Sequence, residues 1–335
     1  LRYTLRPGPA YRTREVRIEG NDRVLNQYIE RELLIDSGEA FDAARVARTE
    51  ANLLDTGWFR DISFEPVALD TTAAEATLRL RVVERPTGFW ELGVGTGTED
   101  RVRLSAGWGD RNVWRSGKSL TLRGRVLGSI ESTVDDPDDS DIFVDHEEEL
   151  LYRHPHFLGT RYTGNANLFF RVESRPRSAL ELRQLGLLIN TALIQRGANS
   201  LEVELGLQRT RKRELSDAIT FDNDRAQTRS VTVVATNDTR NDLFSPTRGQ
   251  LRQLLVQLAG GPVLGGDNDF AKALASQVML VPLLGESVLA LRAQAGWVQA
   301  FSTSAAESGL RGGVPLEDRF FAGGSSSVRG YRENS

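Results

Sequence analysis

Side chains able to do covalent or metal chemistry are scarce in this 335-residue chain. There is no Cys, which excludes thiol catalysis, disulfides and Cys-ligated zinc. The three His, at 146, 154 and 156, have no convergent partners in the sequence, and no Ser/His/Asp set can be placed. Asp135, Asp136, Asp138, Asp139 and Asp141 could suggest calcium, but they lack the turn glycine of a calcium loop, and a solvated loop accounts for them better. Gly93-Val-Gly-Thr-Gly97 faintly resembles a dinucleotide-binding loop. Thr98 stands where its last glycine belongs, and alternating strand follows where a helix is needed. Ser116-Gly-Lys-Ser119 ends like a phosphate loop, but its first glycine position is Asn112 and a strand again follows. No catalytic residue, metal ligand or cofactor is expected.

Two other stretches stand out. Asp238 to Gly249 reads as a turn, with Asp238, Arg240, Phe244, Pro246, Thr247 and Gly249 as its marked positions, and its Pro and Gly fit a tight one. Arg319 to Tyr331 combines Arg319, Phe320, Phe321, Gly323, Gly324, Val328, Arg329, Gly330 and Tyr331. Two adjacent Phe beside a Gly/Ser hinge do not suit a solvated loop. Arg329 could fold inward and pair with a carboxylate.

The elements that position these stretches come in two kinds. Residues 11–86 read as strand, helix, helix, strand, strand. Arg14 to Glu19 alternates polar and apolar. Leu25, Tyr28, Ile29 and Leu33 give helix spacing over Val24 to Leu34, and Asp42 caps a second helix that Gly57 ends. Strands at Phe59–Phe64 and Leu78–Val82 follow. That is a small two-layer α+β domain whose resource is an unpaired sheet edge, where extended peptides dock.

Residues 87–335 lose helical periodicity. In Arg101–Trp108, Val102, Leu104, Ala106 and Trp108 oppose Arg101, Arg103 and Ser105. In Leu201–Gln208, four apolar residues oppose Glu202, Glu204 and Gln208. About eleven such strands are expected, at 88–98, 100–110, 117–128, 146–155, 159–172, 180–191, 199–211, 226–238, 248–260, 269–281 and 287–300. Alternation is weak over Thr228–Thr236 and Phe270–Leu280. Strands of about ten residues, apolar on one face and charged on the other, match a bilayer core better than a sandwich. Long polar connections such as 129–145 and 212–225 alternate with tight ones such as Pro155–Gly159 and Leu284–Glu286. Short turns face the periplasm, so the first domain is periplasmic. The fold class is an α+β domain followed by an incomplete antiparallel transmembrane β-barrel.

The overall composition hides this. Lys+Arg number 42 and Asp+Glu 46, a net charge of −4 that gives no general pull toward nucleic acid. Apolar residues make up 39%, because alternation halves the apolar count of each strand, and no run reaches the roughly 18 apolar residues of a membrane helix. The start at Leu1 and the odd strand count are expected of a segment of a longer chain.

At these residues the sequence resembles the superfamily of outer-membrane assembly and translocation barrels, especially the BamA and TamA insertases. Ile18-Glu-Gly-Asn21 and Asp55-Thr-Gly-Trp-Phe59 resemble a POTRA domain. Phe244-Ser-Pro-Thr-Arg-Gly249 matches the family's usual turn, and Arg319–Gly324 with Val328–Tyr331 resembles its lid loop, with wording that leans toward TamA. The resemblance implies that residues 1–10 are the tail of a preceding POTRA domain or a linker. It further implies that residues 87–335 hold about eleven of sixteen barrel strands, through the lid loop, and that the carboxylate partner of Arg329 lies on a later strand. It implies an insertase and no enzyme: unfolded client proteins enter the bacterial outer membrane through a lateral seam at the first strand, loosened by Gly88, Gly93, Gly95 and Gly97. The implied partners are those clients, outer-membrane lipid and an accessory subunit, periplasm-spanning or lipoprotein, with no nucleic acid. The alternative is a two-partner secretion pore that translocates one specific protein.

Overall fold

The computed structural model describes residues 10–335 except 71, 98–101, 133–139, 161, 176–179, 215–224, 286, 302–313, 316–317 and 321–335. The chain falls into two compact units. One comprises Leu1–Glu91, Gly107–Leu122 and Tyr152–His154. The other comprises Leu92–Ala106, Arg123–Leu151 and Pro155–Ser335.

The first unit opens with β1 (Arg12–Glu19), α1 (Asn26–Glu30), α2 (Ala43–Asp55), β2 (Phe59–Asp70) and β3 (Glu75–Glu84). The sheet order is β1-β3-β2, with β1 parallel and β2 antiparallel to β3. β1 and β2 are therefore its edges. Alternation dictates the core: Leu80 and Val82 point inward from β3 and pack with Val24, Ile29, Leu53, Trp58 and Phe59. The α2 start is as expected, since the Asp42 carboxylate accepts from the Ala44 N–H at 2.8 Å. Gly57, at φ +75°, follows its end.

One element differs. The helix expected over Val24–Leu34 shrinks to Asn26–Glu30. Tertiary partners hold the segments on both sides of it, and on the C-terminal side they take the Leu34 N–H that a longer helix would use. The Glu84 carboxylate accepts from the Arg23 and Val24 N–H groups, both at 2.8 Å, and the Leu34 N–H donates to Thr49 Oγ1 at 3.1 Å.

The eleven remaining strands form one sheet, β4 (Gly88–Gly95), β5 (Val102–Val113), β6 (Lys118–Ser132), β7 (Ser140–His154), β8 (Gly164–Arg175), β9 (Leu180–Arg196), β10 (Asn199–Glu214), β11 (Arg225–Asp238), β12 (Gly249–Ala259), β13 (Phe270–Pro282) and β14 (Val288–Ala300). They lie in sequence order from β14 to β4, and among the described residues the sheet does not close on itself. The number of strands matches the alternation, but several bounds move. The first strand stops at Gly95 instead of 98. The fifth starts at Gly164 instead of 159, because Pro155–Thr160 forms a turn with Leu158 left-handed at φ 53°. The fourth begins at Ser140 instead of 146, which shortens the expected 129–145 loop. Charged residues inside β7 hide its start from a reading that expects one apolar face.

Register fixes the two faces. Leu254, Val256 and Leu258 of β12 stand opposite Ala235, Val233 and Val231 of β11, and Leu254 and Val256 also oppose Ala275 and Ala273 of β13. Gln253 and Gln257, on the alternate face, oppose Ser276 and Lys272. The apolar face stays half-exposed, Leu254 at 46%. No helix in the described residues is long and apolar enough to cross a membrane, which says nothing about crossing by strands.

Candidate functional site

β4 is the shortest strand of the sheet. It has 8 residues, where the others have 11 to 17. Trp90, Leu92 and Val94 project from one face, and Leu92 is 87% exposed. Gly93 and Gly95 occupy the other face, against Ser105 and Arg103 of β5. A Cβ at Gly93 would come within 2.4 Å of Ser105 Oγ, the movable end of a side chain, whereas one at Gly95 meets nothing closer than 3.8 Å. These glycines are thus not required by space; what they do is leave backbone without side-chain packing. Gly88 opens the strand and Gly97 lies beyond its end.

The opposite, charged face carries partners that the sequence alone did not pair. Glu147 of β7 sits between Arg125 of β6 and Arg171 of β8, accepting from Arg171 Nε at 2.9 Å and from Arg125. Asp145 accepts from the Ser174 N–H at 2.7 Å, and Asn165 Nδ2 donates to Asn190 Oδ1 at 2.9 Å. Charged pairs strung across successive strands suit a wet barrel interior. The His do not converge: His146 bonds Glu148 at 3.0 Å, and His156 contacts the Thr160 carbonyl at 3.1 Å.

Of the lid-loop residues, Arg319 and Phe320 are described; Phe321, Gly323, Gly324, Val328, Arg329, Gly330 and Tyr331 lie outside the described residues. The described start is fastened to the charged face. Lys272 of β13 bonds Asp318 at 3.1 Å and stands 5.5 Å from the centroid of the Phe320 ring. That ring lies flat against Gly296 of β14, where a Cβ would come within 2.6 Å of it. Arg319 Nε donates to the Val314 carbonyl at 3.0 Å. Sequence reading missed Lys272, Gly296 and Asp318. The available signals were a lone Lys in an Ala/Leu-rich strand and a Gly that interrupts the alternation of β14.

The Asp238–Gly249 turn is longer than a tight turn and is built from side-chain acceptors. Arg240 donates to both Asp238 oxygens at 2.9 and 2.7 Å, and this pairing raises the Arg240 pKa further. Asn241 Oδ1 accepts from the Thr247 and Arg248 N–H groups, both at 3.0 Å. Asp242 accepts from the Phe244 and Ser245 N–H groups, both at 2.7 Å, and the Ser245 and Phe244 bonds hold its carboxyl below the usual range. Gly249, at φ +101°, closes the turn where a Cβ would strike the Thr239 carbonyl at 2.3 Å, so only glycine fits. Pro246 and Thr247 lie in this frame, which leaves Phe244 96% exposed.

Comparison with known proteins agrees with this geometry. The model described as Omp85 superfamily domain matches residues 146–335, more than half of the chain. The POTRA model, described as Surface antigen variable number repeat, matches residues 11–85. The chain is 24% identical over 333 residues to the outer membrane protein assembly factor BamA of Nitratidesulfovibrio vulgaris, covering 98% of this chain and 39% of that protein. It is 28% identical over 119 residues to BamA of Neisseria meningitidis serogroup B, covering 36% of this chain and 15% of that one. Among solved structures, BamA from Haemophilus ducreyi lacking POTRA domains 1–3 superposes with a TM-score of 0.75 at 20% identity, over 98% of this chain and 61% of that one. CdiB from Acinetobacter baumannii gives 0.57 at 14% identity, over 96% and 57%. The chain therefore spans about two fifths or less of these curated relatives.

Proposed function

This chain belongs to the Omp85 superfamily, and on that premise we propose that it is part of an outer-membrane assembly factor that inserts and folds client β-barrel proteins through a lateral seam at β4. With its Omp85 barrel, its N-terminal POTRA domain and its bacterial BamA relatives, the chain sits in the bacterial outer membrane with that domain in the periplasm. The BamA-type reading is taken over the TamA-type one because the curated relatives above carry the BamA name.

The observation that carries the reading is β4 itself: the shortest strand of the sheet, with Gly88 at its start and Gly93 and Gly95 in its body. A strand that pairs weakly with its neighbour can be exchanged for an incoming one through the same backbone groups. In hydrocarbon an unpaired backbone group costs several kcal/mol, so a client that adds its strand there is held until its own strands close. Non-covalent templating of this kind requires no catalytic residue. The N-terminal domain, with β2 unpaired on its outer side among the described residues, would receive clients, and an accessory subunit, periplasm-spanning or lipoprotein, would act with it.

The test is the full-length protein carrying Gly93→Val and Gly95→Val in a strain depleted of the native copy. Folded client barrels are expected to fall several-fold while the variant itself reaches the membrane in normal amount. Unchanged client levels would sink the seam reading. The two-partner secretion pore predicts a different outcome, in which one secreted protein accumulates in the periplasm and other barrels assemble normally.

A further inference from the structure

The most tightly specified contact outside the site lies within the first compact unit, where the turn between β5 and β6 receives Trp58. Trp58 follows α2, is 4% exposed and donates its Nε1–H to the Gly117 carbonyl at 3.2 Å. Gly117 is left-handed at φ +69°, and a Cβ on it would lie 2.3 Å from the indole ring. Asn112, itself buried, bridges the two sides. Its Oδ1 accepts from the Gly117 N–H at 2.8 Å, and its Nδ2 donates to the Arg23 carbonyl at 3.1 Å. Arg115 Nε adds a bond to that same carbonyl at 3.2 Å. Trp114 and Arg115 are both left-handed, at φ 55° and 57°, which costs on the order of 1–2 kcal/mol for each non-glycine residue. Such strain persists only where the surroundings over-determine it.

The same unit holds the start of β4. The Arg85 N–H donates to the Trp58 carbonyl at 2.8 Å, and the Arg111 N–H to the Thr87 carbonyl at 3.0 Å. Phe89 lies over Gly109, where a Cβ would meet its ring at 2.4 Å, and the Arg111 guanidinium stands 4.0 Å from its centroid. Leu92 to Gly97 has no comparable wedge, since Gly93 and Gly95 present only hydrogen to β5.

We infer that the β5–β6 turn is a socket for Trp58, and that Trp58, Asn112 and Gly117 are positioning residues that pin the root of β4 so that this strand yields from its Leu92–Gly97 end. The inference rests on reading β4 as the seam. It adds a direction to seam opening and assigns that direction to residues at the opposite end of the strand.

Hydrogen exchange on the full-length protein in lipid bilayers tests it. In the wild type, amides of residues 85–91 and 107–117 are expected to exchange at least about tenfold more slowly than those of 92–97. Gly117→Val drives a side chain into the indole and is expected to bring the root to the tip's rate, with peptides of β3 and the sheet's heat-modifiability unchanged. Asn112→Ala removes two hydrogen bonds without adding volume, so it keeps the test open if the valine variant does not fold; roughly tenfold faster root exchange is expected. Trp58→Phe retains the ring contact and is expected to fall between wild type and Asn112→Ala. Equal root and tip rates in the wild type would overturn the inference, as would unchanged root rates in Asn112→Ala. Client assembly is scored separately. A protein that assembles no clients yet shows the protected root and its loss in the variants refutes the seam and upholds the socket.

Discussion

In β3 of the N-terminal domain, Leu78, Leu80 and Val82 alternate with Arg79 and Arg81, and the apolar set is buried. In β12, Leu254, Val256 and Leu258 alternate with Gln253, Leu255 and Gln257, and the apolar set stays half-exposed. The local pattern is the same; the solvent that each face meets is not. The domain gathers its apolar face around a core with two helices. The sheet turns its apolar face outward to lipid and collects carboxylates and guanidiniums on the other side. Alternation by itself thus reports a two-faced strand. Neither length nor charge separates these two strands, since β3 has 10 residues with Arg79 and Arg81 on its second face and β12 has 11 with Gln253, Leu255 and Gln257. What separates them is that Ile29 and Leu53 of the helices cover the apolar face of β3, and nothing among the described residues covers that of β12.

The sharpest way to break that comparison is to cut the domain's core. Leu53 is fully buried among Ile29, Trp58, Phe59 and Leu80, so Leu53→Ala is expected to cost about 2–5 kcal/mol. In the membrane-embedded protein, protease resistance of residues 11–85 should fall at lower denaturant while the sheet keeps its heat-modifiable migration. Loss of both together would mean that the two regions do not depend on separate cores.

Next in size is a charge on the sheet. Val256→Arg puts a guanidinium on the lipid face and is expected to cost up to about 2–4 kcal/mol, depending on depth. Gln253→Arg, on the opposite face beside Ser276 and Thr236, should cost far less. Refolding into bilayers from urea measures both. Equal costs would show that the two faces do not meet lipid and water respectively.

Smaller still is the charged face itself. Glu147→Gln leaves Arg125 and Arg171 without their carboxylate. Both Arg are nearly half-exposed, so the cost is discounted to about 1–2 kcal/mol. The temperature at which the protein loses its heat-modifiable form should drop, and Glu147→Asp should recover part of it.

These predictions also mark where the sequence was legible. The domain order, the eleven strands and the two faces could be read because each is a periodic local signal. α1 was over-read because the groups that hold its flanking segments come from Glu84 and Thr49, and Glu84 is 60 residues from Val24 in the chain. β7 was under-read because Asp141 and Asp145, in its first six residues, look like loop. Glu147 was visible only as one acid in a row: its partners lie 22 and 24 residues away on two other strands. Lys272 and Asp318 are separated by 46 positions and by two connections. Register alone brings such residues together, and register is a tertiary quantity. The turn at 238–249 was recognised by its Pro and Gly, while the Asn and Asp acceptors that give it shape carry no period at all.

The smallest expected effect belongs to that turn. Asp242 is fully exposed, yet its carboxyl is held below the usual range by the N–H groups of Ser245 and Phe244, with no cation needed. A carboxylate whose folded pKa is depressed contributes stability above its unfolded pKa of about 3.9, and that contribution is lost as pH falls through the lower, folded value. The frame around Leu243 and Phe244 should therefore loosen only in acid, below about pH 4. Pepsin, active there, should cut between these two residues increasingly as pH falls, measured against Asp242→Asn, whose amide oxygen can accept the same bonds without titrating. The cut should be local, because the strands on either side are held by register with their neighbours and owe nothing to Asp242. A parallel rise in the Asn variant would assign the loosening to the strands, and the turn would then be no more self-supporting than the sheet that carries it.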